Sequence, residues 1–197
     1  RLAPIAKKLE LPEDWRTELK PSDDVGERPS LDTLGPFRWV PSAATQWTLT
    51  DGQGKKHSLA DYTGKPVIVI FYLGKGCAHC IEQLSAFAPE VDRFKQTGID
   101  LIAISTDHVG GLLETFQLNQ NKPFPFPLLS DASLEVFRQY RAYDDFEKQP
   151  LHGTFLIDRA GLVRWQDISY EPFEEVEFLL NESKRLLGQD PPQVTKR

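Results

Sequence analysis

Two cysteines, Cys77 and Cys80, stand three positions apart, and the chain holds no others. A pair at this spacing can close on itself, hold a metal ion, or pass electrons by thiol–disulfide exchange. The stretch before it, Pro66-Val67-Ile68-Val69-Ile70-Phe71-Tyr72, is a short unbroken apolar run rich in β-branched residues. Such a run predicts a strand buried on both faces. Gly74 and Gly76 supply a tight exit turn. Beyond the cysteines, Ile81, Leu84, Ala88, Val91 and Phe94 recur at helical spacing. Cys77 and Cys80 therefore flank the first turn of a helix, where free N–H groups and the positive dipole end favour a thiolate over a thiol. His79, between them, would add an imidazolium and make the disulfide more oxidising. Two readings compete with redox work. The cysteines are unreactive neighbours, or they are half of a structural zinc site, which wants four ligands where no second Cys pair exists.

The chain around this motif bounds the answer. A length of 197 residues suffices for one domain with a sizeable core plus extensions. A net charge of −6 argues against nucleic acid or anionic lipid as the main partner. No apolar run approaches membrane-spanning length. The sequence begins at Arg1, lacks methionine and shows no signal peptide. It reads as a processed protein or a piece of a longer one, so the missing signal says little about compartment.

Residues 1–36 read as an N-terminal extension or linker. Pro12, Pro21, Pro29 and Pro36 break any long element there, and Trp15 and Trp39 are expected to tie it to the domain. The domain proper is expected over 37–188, with a polar tail over 189–197. A first hairpin is expected from residues 44–49 and 56–59, turning at Asp51-Gly52-Gln53-Gly54. The helix after the cysteines should run to about Thr97, kinked at Pro89 and stopped by Gly98. Ile99 to Ser105 reads as the next buried strand, which makes a parallel pair with the first. Thr106-Asp107-His108 follows at its C-terminal end, where sites gather in α/β folds. Short helices are expected around Leu112–Leu118 and Leu134–Tyr140. The intervening Pro123-Phe124-Pro125-Phe126-Pro127 cannot be helical. Thr154–Asp158 and Leu162–Trp165 read as a hairpin, and Pro172 opens a last helix ending at Gly188.

The strand–loop–CxxC–helix pattern resembles the thioredoxin superfamily. Ala78-His79 resembles the Pro-His of periplasmic disulfide oxidants. Trp47-Thr48-Leu49-Thr50-Asp51-Gly52, Ser58-Leu59-Ala60-Asp61-Tyr62-Thr63-Gly64-Lys65, Phe126-Pro127-Leu128-Leu129-Ser130-Asp131 and Thr154-Phe155-Leu156-Ile157-Asp158 resemble the AhpC/TSA (peroxiredoxin) group and the tethered thiol reductases of the bacterial periplasm. The likeness covers about residues 44–165. It implies an α/β, thioredoxin-like three-layer fold: a central mixed sheet flanked by helices, here with an N-terminal extension. It also implies an active site at the CxxC helix start, facing the loop before Thr154.

Carried over by position, Leu73 stands at the peroxiredoxin proline, Cys77 at its threonine and Cys80 at the peroxidatic cysteine. His152 stands where an arginine is usual. Two groups that would hold a peroxide are thus changed. In the thioredoxin register Cys77 attacks and Cys80 resolves, but Pro150 stands early for the cis-proline, with a cis Gln149–Pro150 bond allowed. His152 beside two thiolates resembles the copper site of the Sco chaperones, although those cysteines are spaced one residue wider. Copper or zinc would suit such donors. A hydrogen-bonded loop histidine is the plain alternative. His57 and His108 read as solvated surface histidines.

The expected function is a thiol–disulfide oxidoreductase or antioxidant redoxin, with Cys77, Cys80, His79 and His152 as catalytic residues and no organic cofactor. Expected partners are protein thiols and disulfides, or peroxide, with an upstream domain also admitted. The alternatives are a copper- or zinc-binding module using Cys77, Cys80 and His152, and a weakly active interaction domain joined through residues 1–36. A periplasmic or other extracytoplasmic compartment is expected over the cytoplasm.

Overall fold

The computed structural model describes residues 41–118 and 122–188. The expected extension over 1–36, with Trp15, Trp39 and the tail over 189–197, lies outside the described residues.

The central strand β3 (Val67–Tyr72) is buried at every position, as its apolar run requires. It lies between β4 (Asp100–Ser105), which it meets in parallel, and β8 (His152–Ile157), which it meets antiparallel. Outside these run β1 (Thr48–Asp51), β2 (Lys56–Ser58), β5 (Leu128–Ser130) and β9 (Val163–Ser169). The seven strands are ordered β2-β1-β5-β4-β3-β8-β9. A separate small hairpin pairs β6 (Tyr143–Asp144) with β7 (Gln149–Pro150) and leads straight into β8. The Gln149–Pro150 bond is trans.

Alternation along β3 divides the core in two. Ile68, Ile70 and Tyr72 face one side with Leu84 and Phe87 of α1 (Ala78–Phe87), Phe94 of α2 (Val91–Gln96), Leu112 of α3 (Val109–Leu118), and Leu179 and Leu180 of α5 (Val176–Leu187). Val67, Val69 and Phe71 face the other with Val136 and Phe137 of α4 (Glu135–Gln139). The result is a mixed sheet with helices packed on both faces. Each large apolar side chain buried in it contributes about 1.5–3 kcal/mol. Phe71 anchors the second face through ring contacts at 5.0–5.4 Å with Phe137, Tyr140 and Phe155.

Several boundaries differ from expectation. The helix after the cysteines breaks into α1, a 3₁₀ turn over Ala88–Glu90, and α2, because Pro89 lacks the N–H that would continue the ladder. The chain then reverses at Gly98, at φ 78°. The last helix starts at Val176, four residues after Pro172. Its expected first turn is drawn aside because the Phe173 carbonyl accepts the Gln83 side-chain amide at 2.9 Å and the Phe173 ring packs on Trp165 at 5.0 Å. β8 begins at His152, two residues before the expected Thr154, because His152 pairs with Ser169 of β9.

Candidate active site

The C-terminal ends of the parallel strands β3 and β4 release two loops on one edge. The loop from β3 carries Leu73 to Gly76 into α1. Cys77 is the N-cap of α1, with extended backbone, and its Sγ accepts the Cys80 N–H at 3.2 Å. This is the capping geometry usually filled by a serine or aspartate oxygen, here filled by sulfur. Cys80, at the third helical position, turns inward and is fully buried. Its Sγ accepts the Leu73 N–H at 3.3 Å. Cys77 remains partly exposed.

Burial and the adjoining Cys77 side chain push the Cys80 thiol well above its ordinary value, opposed by the Leu73 N–H. Thiolate stabilisation at the helix start was expected for both cysteines, and for Cys80 desolvation overrides it.

His152 reaches the pair from β8. Its Nε2 is 3.2 Å from the Cys80 Sγ and 3.7 Å from the Cys77 Sγ. The three atoms lie within 4.8 Å of one another. The ring is buried in a strand, not held in a loop. Burial lowers its pKa, opposed by the backbone of Tyr170 and the charge of Glu171. Its Nδ1 is buried and, among the described residues, has no hydrogen-bond partner of normal geometry.

His79 goes elsewhere. Its side chain is 65% exposed, and Nδ1 lies 3.5 Å from a Glu171 carboxylate oxygen. It is not among the clustered donors. Position two of the helix points outward, which the spacing could not distinguish from inward. His57 also departs from expectation: it is buried, with Nε2 2.8 Å from Asp51 Oδ2. Asp51 also accepts the Gln53 and Lys55 N–H groups, and together these bonds outweigh burial and hold its carboxyl below the usual range. This pair fastens the β1–β2 turn. His108 is exposed, as expected.

The loop from β4 supplies residues whose role was not recognised. Thr106 Oγ1 donates to the Leu73 carbonyl at 2.9 Å, and Asp107 Oδ2 accepts the Lys75 N–H at 2.7 Å. The available signal was position alone, a polar pair at a strand's C-terminal end.

A sequence profile described as the AhpC/TSA family matches residues 40–166, more than half of the chain. The chain belongs to the AhpC/TSA family. Among relatives, "Peroxiredoxin Q, chloroplastic" of Oryza sativa subsp. japonica is 33% identical over 125 residues, 63% of this chain and 56% of the relative. "Peroxiredoxin Q, chloroplastic" of Suaeda salsa is 35% identical over 119 residues, 60% of this chain and 54% of the relative. The chain thus spans little more than half the length of either. Among solved structures, the Mycobacterium tuberculosis peroxidoxin BcpB superposes with a TM-score of 0.66 at 21% identity, over 76% of this chain and 98% of that one. The reduced 2-Cys peroxiredoxin of Plasmodium vivax gives 0.63 at 20% identity, over 75% and 95%. Both share the thioredoxin-like fold expected from the motifs.

Membership of the AhpC/TSA family favours redox work over the Sco-like metal reading and over a weakly active interaction domain. It also corrects the expected compartment. The two plant relatives are chloroplastic, which gives no support to a periplasmic or extracytoplasmic setting. The physical reason is that a catalytic CxxC operates in reducing compartments as well as oxidising ones, so it does not mark either. Among the described residues, no helix is long and apolar enough to cross a membrane.

Proposed function

We propose that the chain is a two-cysteine antioxidant redoxin in which Cys77 attacks, Cys80 resolves and His152 moves the proton of Cys80. The observation that carries this is the asymmetry of the pair: Cys77 is partly exposed, whereas Cys80 is fully buried with His152 Nε2 at 3.2 Å.

The Cys77 thiolate attacks a peroxide oxygen, the O–O bond breaks, and the departing alkoxide takes a proton. Cys77 becomes a sulfenic acid. Neutral His152, with its proton on Nδ1, accepts the Cys80 proton on Nε2. The Cys80 sulfur then attacks Cys77 Sγ, and the hydroxyl leaves as water with that proton. One peroxide and two thiols give an alcohol, water and one disulfide. An external dithiol reopens the disulfide by attack at Cys77, with Cys80 leaving, and becomes oxidised in turn. Exchange with a protein disulfide uses the same atoms. The attacking sulfur proposed here, Cys77, stands at the family's threonine and not at its peroxidatic position, and Leu73 and His152 replace the family's proline and arginine, so peroxide turnover should be slow beside that of full-motif relatives.

No metal enters these steps. Added peroxide should convert the reduced protein to a form lighter by two hydrogens, with Cys77–Cys80 joined. Cys77→Ser should abolish this, and Cys80→Ser should leave a sulfenic acid on Cys77 that a dimedone probe traps. A sulfenic acid on Cys80 in the Cys77→Ser protein would reverse the assignment. Stoichiometric copper or zinc on the reduced protein, lost in His152→Ala, would put metal binding ahead of redox work.

A further inference from the structure

The backbone of Leu73 is held on both sides, and its N–H lies in the peptide whose Tyr72 carbonyl accepts the Thr106 N–H at 3.3 Å. The Leu73 N–H reaches Cys80 Sγ at 3.3 Å, and the Leu73 carbonyl accepts Thr106 Oγ1 at 2.9 Å. Two residues on, the Lys75 N–H donates to Asp107 Oδ2 at 2.7 Å. Asp107 is fixed in turn. Ser105 Oγ donates to its Oδ2 at 3.2 Å and accepts its N–H at 2.9 Å, and its carbonyl accepts Ser130 Oγ at 2.7 Å. Lys75 Nζ also pairs with Glu114 of α3.

Two glycines wrap this carboxylate. A Cβ on Gly74, which sits at φ 88°, would stand 2.7 Å from Asp107 Cγ, and one on Gly111 would stand 2.9 Å from Asp107 Cβ. Contacts this short are prohibitive against a carboxylate held by two hydrogen bonds, from the Lys75 N–H and Ser105 Oγ, on a backbone held by two more. The loop before the cysteines is therefore shaped around Asp107, and the Leu73 amide at its start is aimed at the buried sulfur.

We propose that Thr106 and Asp107 are positioning residues that hold the Leu73 N–H on Cys80 and so make Cys80 a competent leaving thiolate when the disulfide is opened. This rests on the redoxin reading above. In that step an external thiolate forms a bond to Cys77 Sγ, and the S–S electron pair passes to Cys80 Sγ. Burial opposes charge on that atom, so a fixed donor offsets part of the cost. A loop that is merely loosened forfeits part of a hydrogen bond to a charged group. That predicts a loss of about tenfold in rate.

The test is the second-order rate of disulfide opening by dithiothreitol in the full chain. Thr106→Val and Asp107→Ala should each slow it about tenfold. Asp107→Asn, which keeps an oxygen for the Lys75 N–H, should recover most of the loss. Ultraviolet titration of the reduced protein should show the buried thiol ionising at higher pH in the two slow variants. Wild-type opening rates in Thr106→Val, or an Asp107→Asn protein as slow as Asp107→Ala, would overturn the proposal. A merely structural role would lower the unfolding midpoint while leaving rate and titration unmoved. Should Asp107→Ala not fold, Thr106→Val and Asp107→Asn decide the matter. Failure of the underlying reading looks different: the wild-type protein would then form no Cys77–Cys80 disulfide with any oxidant.

Discussion

His152 Nε2 lies closer to the buried Cys80 Sγ, at 3.2 Å, than to the Sγ of partly exposed Cys77, at 3.7 Å. A histidine activating the attacking sulfur would show the opposite preference. Here the imidazole serves the sulfur whose proton is hardest to remove, because burial holds Cys80 as a thiol. Cys77 relies on other help: it caps α1 and accepts the Cys80 N–H.

The burial difference predicts an order of modification. With iodoacetamide in excess over the reduced protein, Cys77 should be alkylated first, and Cys80 only after denaturant is added. Peptide mass analysis reads the order directly. Equal labelling in the folded state would show that Cys80 is open to solvent, and the resolving role would go with it.

His152 predicts how stability depends on pH. Burial lowers its pKa in the folded state, whereas the unfolded chain protonates it near about pH 6.5. Below that value the unfolded state binds more protons, so stability falls as pH falls toward the folded pKa and is whole above the unfolded one. The urea midpoint should therefore be lower at about pH 5.5 than at about pH 7.5. The difference should shrink in His152→Gln, which cannot titrate. An unchanged pH slope in that variant would remove His152 as its source.

Phe71 predicts where the fold is most sensitive away from the chemistry. It is fully buried and touches three other rings. Phe71→Ala should cost about 3–5 kcal/mol in urea unfolding. Leu113, about half exposed on α3, should tolerate the same change within about 0.5 kcal/mol. A small loss at Phe71 would mean that this face of the sheet can collapse around the cavity.

Much of this architecture was legible in residue order. The run Val67–Tyr72 specified a strand buried on both sides, because no residue in it can face water cheaply. Pro89 announced a kink, which the structure deepens into the break between α1 and α2, and Gly98 announced the stop before β4. These are local effects of φ restriction and periodicity, acting within a few residues. Pro172 misled for the complementary reason. Proline permits a helix start, but a distant glutamine, Gln83, had already claimed the Phe173 carbonyl.

The chain order by itself determined that two cysteines would flank the first turn of a helix after a buried strand, because a β-branched apolar run, two glycines and a helical period follow one another there. It could not say which sulfur faces solvent, that His79 points away to Glu171, or that His57 is buried on Asp51. Only the tertiary structure decided these, and with them the partnership of His152 with Cys80 and of Thr106 and Asp107 with the preceding loop. His57 and Asp51 meet across one hairpin, whereas the contacts of His79, His152, Thr106 and Asp107 join residues tens of positions apart. Desolvation at Cys80, which reverses the local helix-start preference, exists only once the sheet and α1 close over it.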